Sequence, residues 1–321
     1  MGSGTAHGVR RPGAAVGSPD PALSGIIQPV PWPGFEDSRV AVGEAEYAVT
    51  QGGHGPPLLL LHGFPQTHAC WSGVAPTLAR RHTVIAPDLR GYGASRAPAG
   101  GPHGEGYSKR EMAHEVVELM TRLGHGRFAV VGHDRGARVA YRMALDAPDR
   151  VARLAVLNIV PTLDQFARMG GGPSLGYWPW FMLAQPAPFP ERLIGADPAA
   201  LLDHAFGTWA SRPEAVDPQH RAGYLAALTP DTISAMCADY RASFHLDRAH
   251  DAVDRDAGRL IAAPVLLVTG ADEVQLADAP DVWARWAGDL TATRVPGGHF
   301  VPEEAPEELV AVLTPFLKAP S

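Results

Sequence analysis

A carboxylate held between two glycines, where an apolar run gives way to a helical pattern, is the first group in this chain that invites chemistry. Asp134 lies in Gly132-His133-Asp134-Arg135-Gly136. Phe128-Ala129-Val130-Val131 precedes it and reads as a strand; Ala137 to Leu145 follows and reads as a helix. Small flanking residues permit a strained turn that lifts the central side chain clear of the backbone. A serine in that place would attack an acyl carbonyl. A carboxylate can instead be alkylated at an electrophilic carbon, which leaves an ester. An aspartate ahead of a helix also serves as an N-cap, so the sequence leaves a capping role standing beside the nucleophile.

An ester on Asp134 must be opened by water, and His299 is the candidate general base. Among 14 histidines it is set apart by its loop, Pro296-Gly297-Gly298-His299-Phe300, after the last expected strand. Nucleophile first and histidine last is the chain order of α/β-hydrolases. In that fold the loop after the third strand and the residue after the nucleophile each supply a backbone N–H to an oxyanion hole. With His62-Gly63-Phe64-Pro65-Gln66 as that loop, the expected donors are Phe64 and Arg135. Arg135 and Arg138 are three apart and share a helix face. Two guanidinium groups beside an attacking carboxylate suit a substrate carboxylate, which they grip by paired hydrogen bonds. The plainer alternative is that one of them pairs with a core carboxylate.

The elements that must carry these groups are legible as alternating patterns. Strand signals fall at Arg39 to Val42, Glu46 to Val49, Leu58 to Leu61, Thr83 to Ala86, Phe128 to Val131 and Leu154 to Ile159. Continuous apolar runs of this kind mark strands buried on both faces. Cys70 to Arg81 is helical in pattern. Lys109 to Leu123 is an amphipathic helix with Met112, Val116, Leu119 and Leu123 on one stripe, and Ser108 with Glu111 fits a capping box. From Val160 to about Asp256 the rhythm breaks into helical pieces with clustered prolines and aromatics. It resumes with a strand at Val265 to Val268, a helix at Pro280 to Ala287, a strand at Thr291 to Val295 and a helix at Pro306 to Leu317. The expected fold is α/β: an α/β-hydrolase fold with a mostly parallel central sheet, flanking helices and an inserted helical cap. The expected division is a disordered leader at 1–30, core at 31–159, cap at 160–256 and core again at 257–321. Ligands of such sheets bind beyond the carboxyl ends of the strands, here between core and cap.

The chain has 321 residues, 45% hydrophobic and 19% charged, with a formal net charge of -7. That balance offers no basic footprint for nucleic acid or for an anionic membrane. Two cysteines, Cys70 and Cys237, make no disulfide framework, and a reducing cytoplasm is the simplest compartment. The Gly-, Ala-, Pro- and Ser-rich start lacks the apolar stretch of a signal peptide, and no run approaches the length of a membrane span. No metal-ligand spacing such as HExxH occurs, and the chemistry needs neither metal nor organic cofactor.

Taken together these residues resemble the fluoroacetate (haloacetate) dehalogenases, a branch of the α/β-hydrolases. The matching segments are His62 to His68, Asp88-Leu89-Arg90-Gly91-Tyr92-Gly93, the Asp134–Arg135–Arg138 elbow, Leu183 to Pro188, Asp239-Tyr240-Arg241-Ala242 and Gly298-His299-Phe300. Related epoxide hydrolases and haloalkane dehalogenases usually carry Trp directly after the nucleophile, which makes Arg135 the sharpest discriminator. The resemblance implies hydrolytic removal of halide from a small 2-haloacid. It implies that Arg135 and Arg138 hold the carboxylate, and that Trp180 and Tyr240, packing residues by any other reading, hold the halide. A homodimer would fit it.

Two positions depart from the family pattern. Its catalytic acid follows the sixth strand in a Leu-Asp-Ile segment, which here is Leu157-Asn158-Ile159. A neutral amide cannot stabilise imidazolium as a carboxylate does. Gly270-Ala271-Asp272-Glu273 follows the next strand, where many hydrolases place the acid, so Glu273 or Asp272 is expected to serve. The family's halide-donating His is here Pro179, which has no side-chain donor. Fluoride needs strong donors as charge develops on it, so chloride and bromide substrates are expected to be preferred. Epoxide hydrolysis by the same Asp–His chemistry is the competing reading, with Tyr177, Tyr224 and Tyr240 available to protonate the opening ring. A non-catalytic ligand-binding role is a further one, because folds of this kind also serve as receptors.

Overall fold

A computed structural model describes residues 32–170 and 172–318. The expected leader at 1–30 lies outside the described residues.

Eight strands form one sheet in the order β1-β2-β4-β3-β5-β6-β7-β8. They are β1 (Phe35–Val42), β2 (Ala45–Gly53), β3 (Pro57–Leu61), β4 (Thr83–Pro87), β5 (Phe128–His133), β6 (Val151–Leu157), β7 (Val265–Gly270) and β8 (Leu290–Val295). β1 and β2 pair antiparallel, and β2 meets β4 antiparallel. From β4 across to β8 every pairing is parallel. The apolar runs behave as the burial argument requires: Leu58 to Leu61, Val130, Val131 and Leu154 to Leu157 are wholly inaccessible.

The helices that cover the sheet are α1 (Ala75–Leu78), α2 (Lys109–Arg122), α3 (Arg135–Asp146), α11 (Ala279–Trp283), α12 (Val301–Glu304) and α13 (Pro306–Lys318), numbered along the whole chain. α2 buries Met112, Val116 and Leu119, and Ser108 caps it by accepting from the Glu111 N–H. The helix expected over Cys70 to Arg81 is instead two short pieces, a 3-10 turn at His68–Trp71 and the single turn α1. Gly73 and Pro76 punctuate that stretch and weaken a longer helix. The helix expected at Pro280 to Ala287 stops at Trp283.

Between β6 and β7 the chain forms α4 (Thr162–Arg168), α5 (Trp178–Met182), α6 (Phe189–Ala196), α7 (Pro198–Trp209), α8 (Pro218–Ala227), α9 (Pro230–Ala242) and α10 (Arg248–Asp256). A π-turn over Ser243–Asp247 joins α9 to α10. Proline opens most of these helices, where its missing N–H costs nothing. Among the described residues no helix is long and apolar enough to cross a membrane.

Parallel strands all deliver their carboxyl ends to one edge. The loops after β3, β5, β6, β7 and β8 therefore bring Phe64, Asp134, Asn158, Glu273 and His299 to the same side of the sheet.

Candidate active site

Asp134 sits at φ 45° and ψ -111°, a conformation costly for a side-chain-bearing residue. Its neighbours explain how the turn is held. A Cβ on Gly136 would stand 2.4 Å from His62 O, and one on Gly132 would stand 2.6 Å from the Ala137 Cα, so only glycine lets helix and strand close on each other. The Asp134 side chain caps nothing in α3. Its Oδ1 accepts a 2.9 Å hydrogen bond from the Phe64 N–H instead, which sets the capping role aside. Asp134 Oδ2 faces His299 Nε2 at 3.8 Å. Burial works to raise the Asp134 pKa, but His299, Arg135, His133 and Arg138 outweigh it and keep the carboxyl below its ordinary value.

His299 is placed by its backbone. Its N–H donates to Trp209 O at 2.9 Å, and its carbonyl accepts from His133 Nε2 at 2.8 Å and Asn158 Nδ2 at 2.7 Å. Burial and the charge of His299 push His133 down to about 3, so it stays a neutral donor. On the far side of the imidazole, Nδ1 faces Glu273 Oε2 at 3.9 Å. Burial would depress His299, yet the Glu273 and Asp134 carboxylates raise it above the ordinary imidazole value. Of the two acids after β7, Glu273 is buried and turned to the imidazole while Asp272 is exposed. Glu273 Oε2 also accepts from Gln275 Nε2.

Asn158 acts as a tie for this loop. At φ 56°, its Nδ2 donates to the carbonyls of Gly298 (3.0 Å) and His299 (2.7 Å), and its Oδ1 accepts from the Gly270 N–H (2.7 Å). One amide thus holds β6, β7 and the histidine loop together. A carboxylate could make only the last of these bonds.

Glu304 completes the support. Its two oxygens accept from the N–H groups of Gly298, Phe300, Ser211 and Arg212, at 2.8 to 3.0 Å. The histidine loop and the segment after α7 are thereby pinned by one carboxylate.

The two arginines part company. Arg138 is 2% exposed, donates through Nη1 to Val160 O (3.0 Å) and Thr162 Oγ1 (3.2 Å), and lies 4.5 Å from the Trp180 ring centre. It lines a cavity of about 60 Å³ together with Asp134, Trp180, Tyr240, Glu273 and His299. Arg135 does not line that cavity. It is wholly buried and clasps Asp239 of α9, Nε to Oδ2 at 2.9 Å and Nη2 to Oδ1 at 2.6 Å, with a further bond to Ser243 Oγ at 2.7 Å. Tyr92 OH and Lys109 Nζ also donate to Asp239. The two arms of the expected clamp are placed differently: Arg138 lines the cavity, while Arg135 Nε and Nη2 are bonded to Asp239, 104 residues away, and its Nη1 has no hydrogen-bond partner. Tyr240 stacks its ring 4.1 Å from the Arg135 guanidinium carbon. Burial, and then the Asp134 carboxylate, push its phenol well up, so it remains a donor.

Tyr177 lines the cavity too, whereas Tyr224 lies on Glu303 at 3.0 Å and takes no part in it. Pro179, in the first turn of α5, is buried and does not line the cavity. Among the described residues no group of three His, Cys, Asp or Glu side chains could hold a metal ion.

A sequence profile of the alpha/beta hydrolase fold matches residues 56–306. The chain belongs to the α/β-hydrolases. It is a hydrolase 42% identical to a fluoroacetate dehalogenase of a Burkholderia species over 88% of this chain and 94% of that one. A soluble epoxide hydrolase of Corynebacterium sp. (strain C12) is 32% identical over 82% of this chain and 91% of its own length. The crystal structure of a candidate alpha/beta hydrolase from Nostoc sp PCC 7120 superposes with a TM-score of 0.86 at 44% identity, covering 89% of this chain and 99% of that one.

Proposed function

We propose that this α/β-hydrolase removes halide from a small 2-haloacid of the haloacetate type, giving the 2-hydroxy acid through an ester on Asp134. The observation that carries the reading is Arg138, a buried guanidinium lining the same small cavity as the Asp134 carboxylate. A cavity of about 60 Å³ suits a ligand of few atoms, and the likeness to a fluoroacetate dehalogenase supports the substrate class.

In the first step Asp134 Oδ2, the oxygen not held by Phe64, attacks the carbon bearing the halogen. A C–O bond forms, the carbon–halogen bond breaks, and halide leaves with inversion. Arg138 holds the substrate carboxylate, while Trp180 and Tyr240 flank the leaving group. In the second step His299 takes a proton from water, and the oxygen adds to the Asp134 carboxyl carbon. Negative charge then builds on Oδ1, the atom already bonded by the Phe64 N–H at 2.9 Å, with the Arg135 N–H as the second donor. Collapse expels the 2-hydroxy acid, which takes back the proton from His299, and the Asp134 carboxyl, now holding the water oxygen, releases its remaining proton to solvent. Glu273 stabilises the imidazolium between these two transfers.

Halide and glycolate release from chloro-, bromo- and fluoroacetate, with Asp134→Asn as control, tests the proposal. Release that disappears in the variant supports it; no release by folded wild type would sink it. One observation favours a second reading, epoxide opening: Tyr177 and Tyr240 both line the cavity and could donate to an epoxide oxygen. Diol formation from small epoxides, without halide release from haloacids, would replace the first reading by the second.

A further inference from the structure

Gln165 is 3% exposed, and its Nε2 group has no hydrogen-bond partner. Buried amide donors are nearly always paired, and an orphan is costly enough to ask for an explanation. Gln165 lines the cavity that holds Asp134, Arg138 and His299. The segment that carries it also anchors Arg138: Val160 O and Thr162 Oγ1 accept from that guanidinium. The next residue, Phe166, sets its ring edge on Trp180 with centres 5.2 Å apart. α4 therefore delivers the Gln165 amide to the cavity on a helix fixed at both sides.

Two further buried orphans near the site are donors as well. Arg138 Nε and Arg135 Nη1 are buried without partners. Gln165 Nε2 and Arg138 Nε belong to side chains that line the cavity of the carboxylate nucleophile, and unpaired donors there call for a ligand with acceptors. Arg138 Nη1 is already given to Val160 O and Thr162 Oγ1, so a directed amide donor beside it helps fix the rotation of a carboxylate without another positive charge.

We propose that Gln165 is a specificity-determining residue that donates an Nε2 hydrogen bond to the substrate carboxylate held by Arg138. This assignment rests on the haloacid reading above. Its consequence is that the α-carbon is turned toward Asp134 by α4 as well as by α3.

The test compares Gln165→Met, which keeps the bulk and removes the donor, with Gln165→Glu, which sets a carboxylate against a carboxylate. Steady-state rates with chloroacetate are read beside chloroacetate binding to the Asp134→Asn form, followed by tryptophan fluorescence, with and without each change. Q165M should lose about tenfold in kcat/KM, mostly through KM, and bind chloroacetate correspondingly weaker. Q165E should lose more, and should recover part of the loss as pH falls and its carboxyl protonates. Thermal melting checks that each variant is folded. If Q165M stays within about twofold of wild type in both readouts, or if Q165E equals Q165M at all pH values, the assignment is wrong while the haloacid reading stands. If wild type itself neither binds nor turns over haloacids, the haloacid reading fails and the assignment falls with it.

Discussion

Asn158→Asp is the change that resemblance and structure judge oppositely. It would restore the acid that the family carries after the sixth strand. In this fold, however, the Asn158 amide donates to two carbonyls, Gly298 O at 3.0 Å and His299 O at 2.7 Å. An ionised carboxylate in its place would lose both bonds and turn a charge toward two carbonyl oxygens, while keeping only the Gly270 N–H. Each lost bond costs about 1 kcal/mol, and Gly298 O left without a partner costs about 1 kcal/mol more while His299 O keeps its bond from His133, so roughly 3 kcal/mol is expected in all. For a chain of this size that is a fall of roughly 4–5 °C in melting temperature. Protonating the new carboxyl restores one donor, so its folded pKa is raised. The deficit should then be smaller in acid and grow as pH rises through that value. Melting curves from acid to neutral pH, with chloroacetate turnover at each, make the assay. Asn158→Ala serves as reference, since it loses the bonds without adding charge. N158D melting with wild type and turning over faster would refute the reasoning.

Glu273→Gln should lower ester hydrolysis by about 10²–10⁴-fold, whereas Asp272→Asn, on an exposed side chain, should leave it unchanged. His299 must be neutral to take the proton, and Glu273 raises its pKa above the ordinary imidazole value, the Asp134 carboxylate adding to this only until it is esterified. Turnover should therefore fall as pH drops through that raised value, and the surviving activity of E273Q should fall at a lower pH. Arg135→Met should destabilise the protein by about 1–3 kcal/mol in denaturant unfolding, because Asp239 loses the guanidinium and keeps only the Lys109 and Tyr92 donors; a stable variant with only a raised KM would return Arg135 to the clamp. Chloroacetate should turn over faster than fluoroacetate, since Pro179 supplies no donor to departing fluoride; the reverse order in kcat would contradict this.

The elbow is legible in the sequence because its signal is local: two glycines, a carboxylate and the change from strand to helix lie within a few residues. The central strands are legible for the same reason, as short runs buried on both faces. What the pattern cannot give are partners far apart in sequence. Arg135 reads as a substrate ligand until α9 brings Asp239 onto it, and no spacing near residue 135 announces that. The Gly-x-x-acid spacing points to Glu273, with Asp272 as its neighbouring competitor; the turn after β7 buries the first and exposes the second. Asn158 reads as a lost acid because the bonds that require an amide reach to residues 270, 298 and 299. Glu304 escapes a motif-led reading, although its place in an acidic first turn marks it as a carboxylate free to bind backbone N–H groups. Gln165 gives no signal at all, because an unpaired amide is a property of packing.

The central claim is a covalent ester on Asp134 that His299 is needed to open. Its most direct test is His299→Ala mixed with chloroacetate, followed by intact-mass and peptide mass spectrometry. The account predicts one equivalent of chloride released and one carboxymethyl group retained on Asp134. Full turnover by the variant, or an unmodified Asp134 after chloride is released, would contradict it.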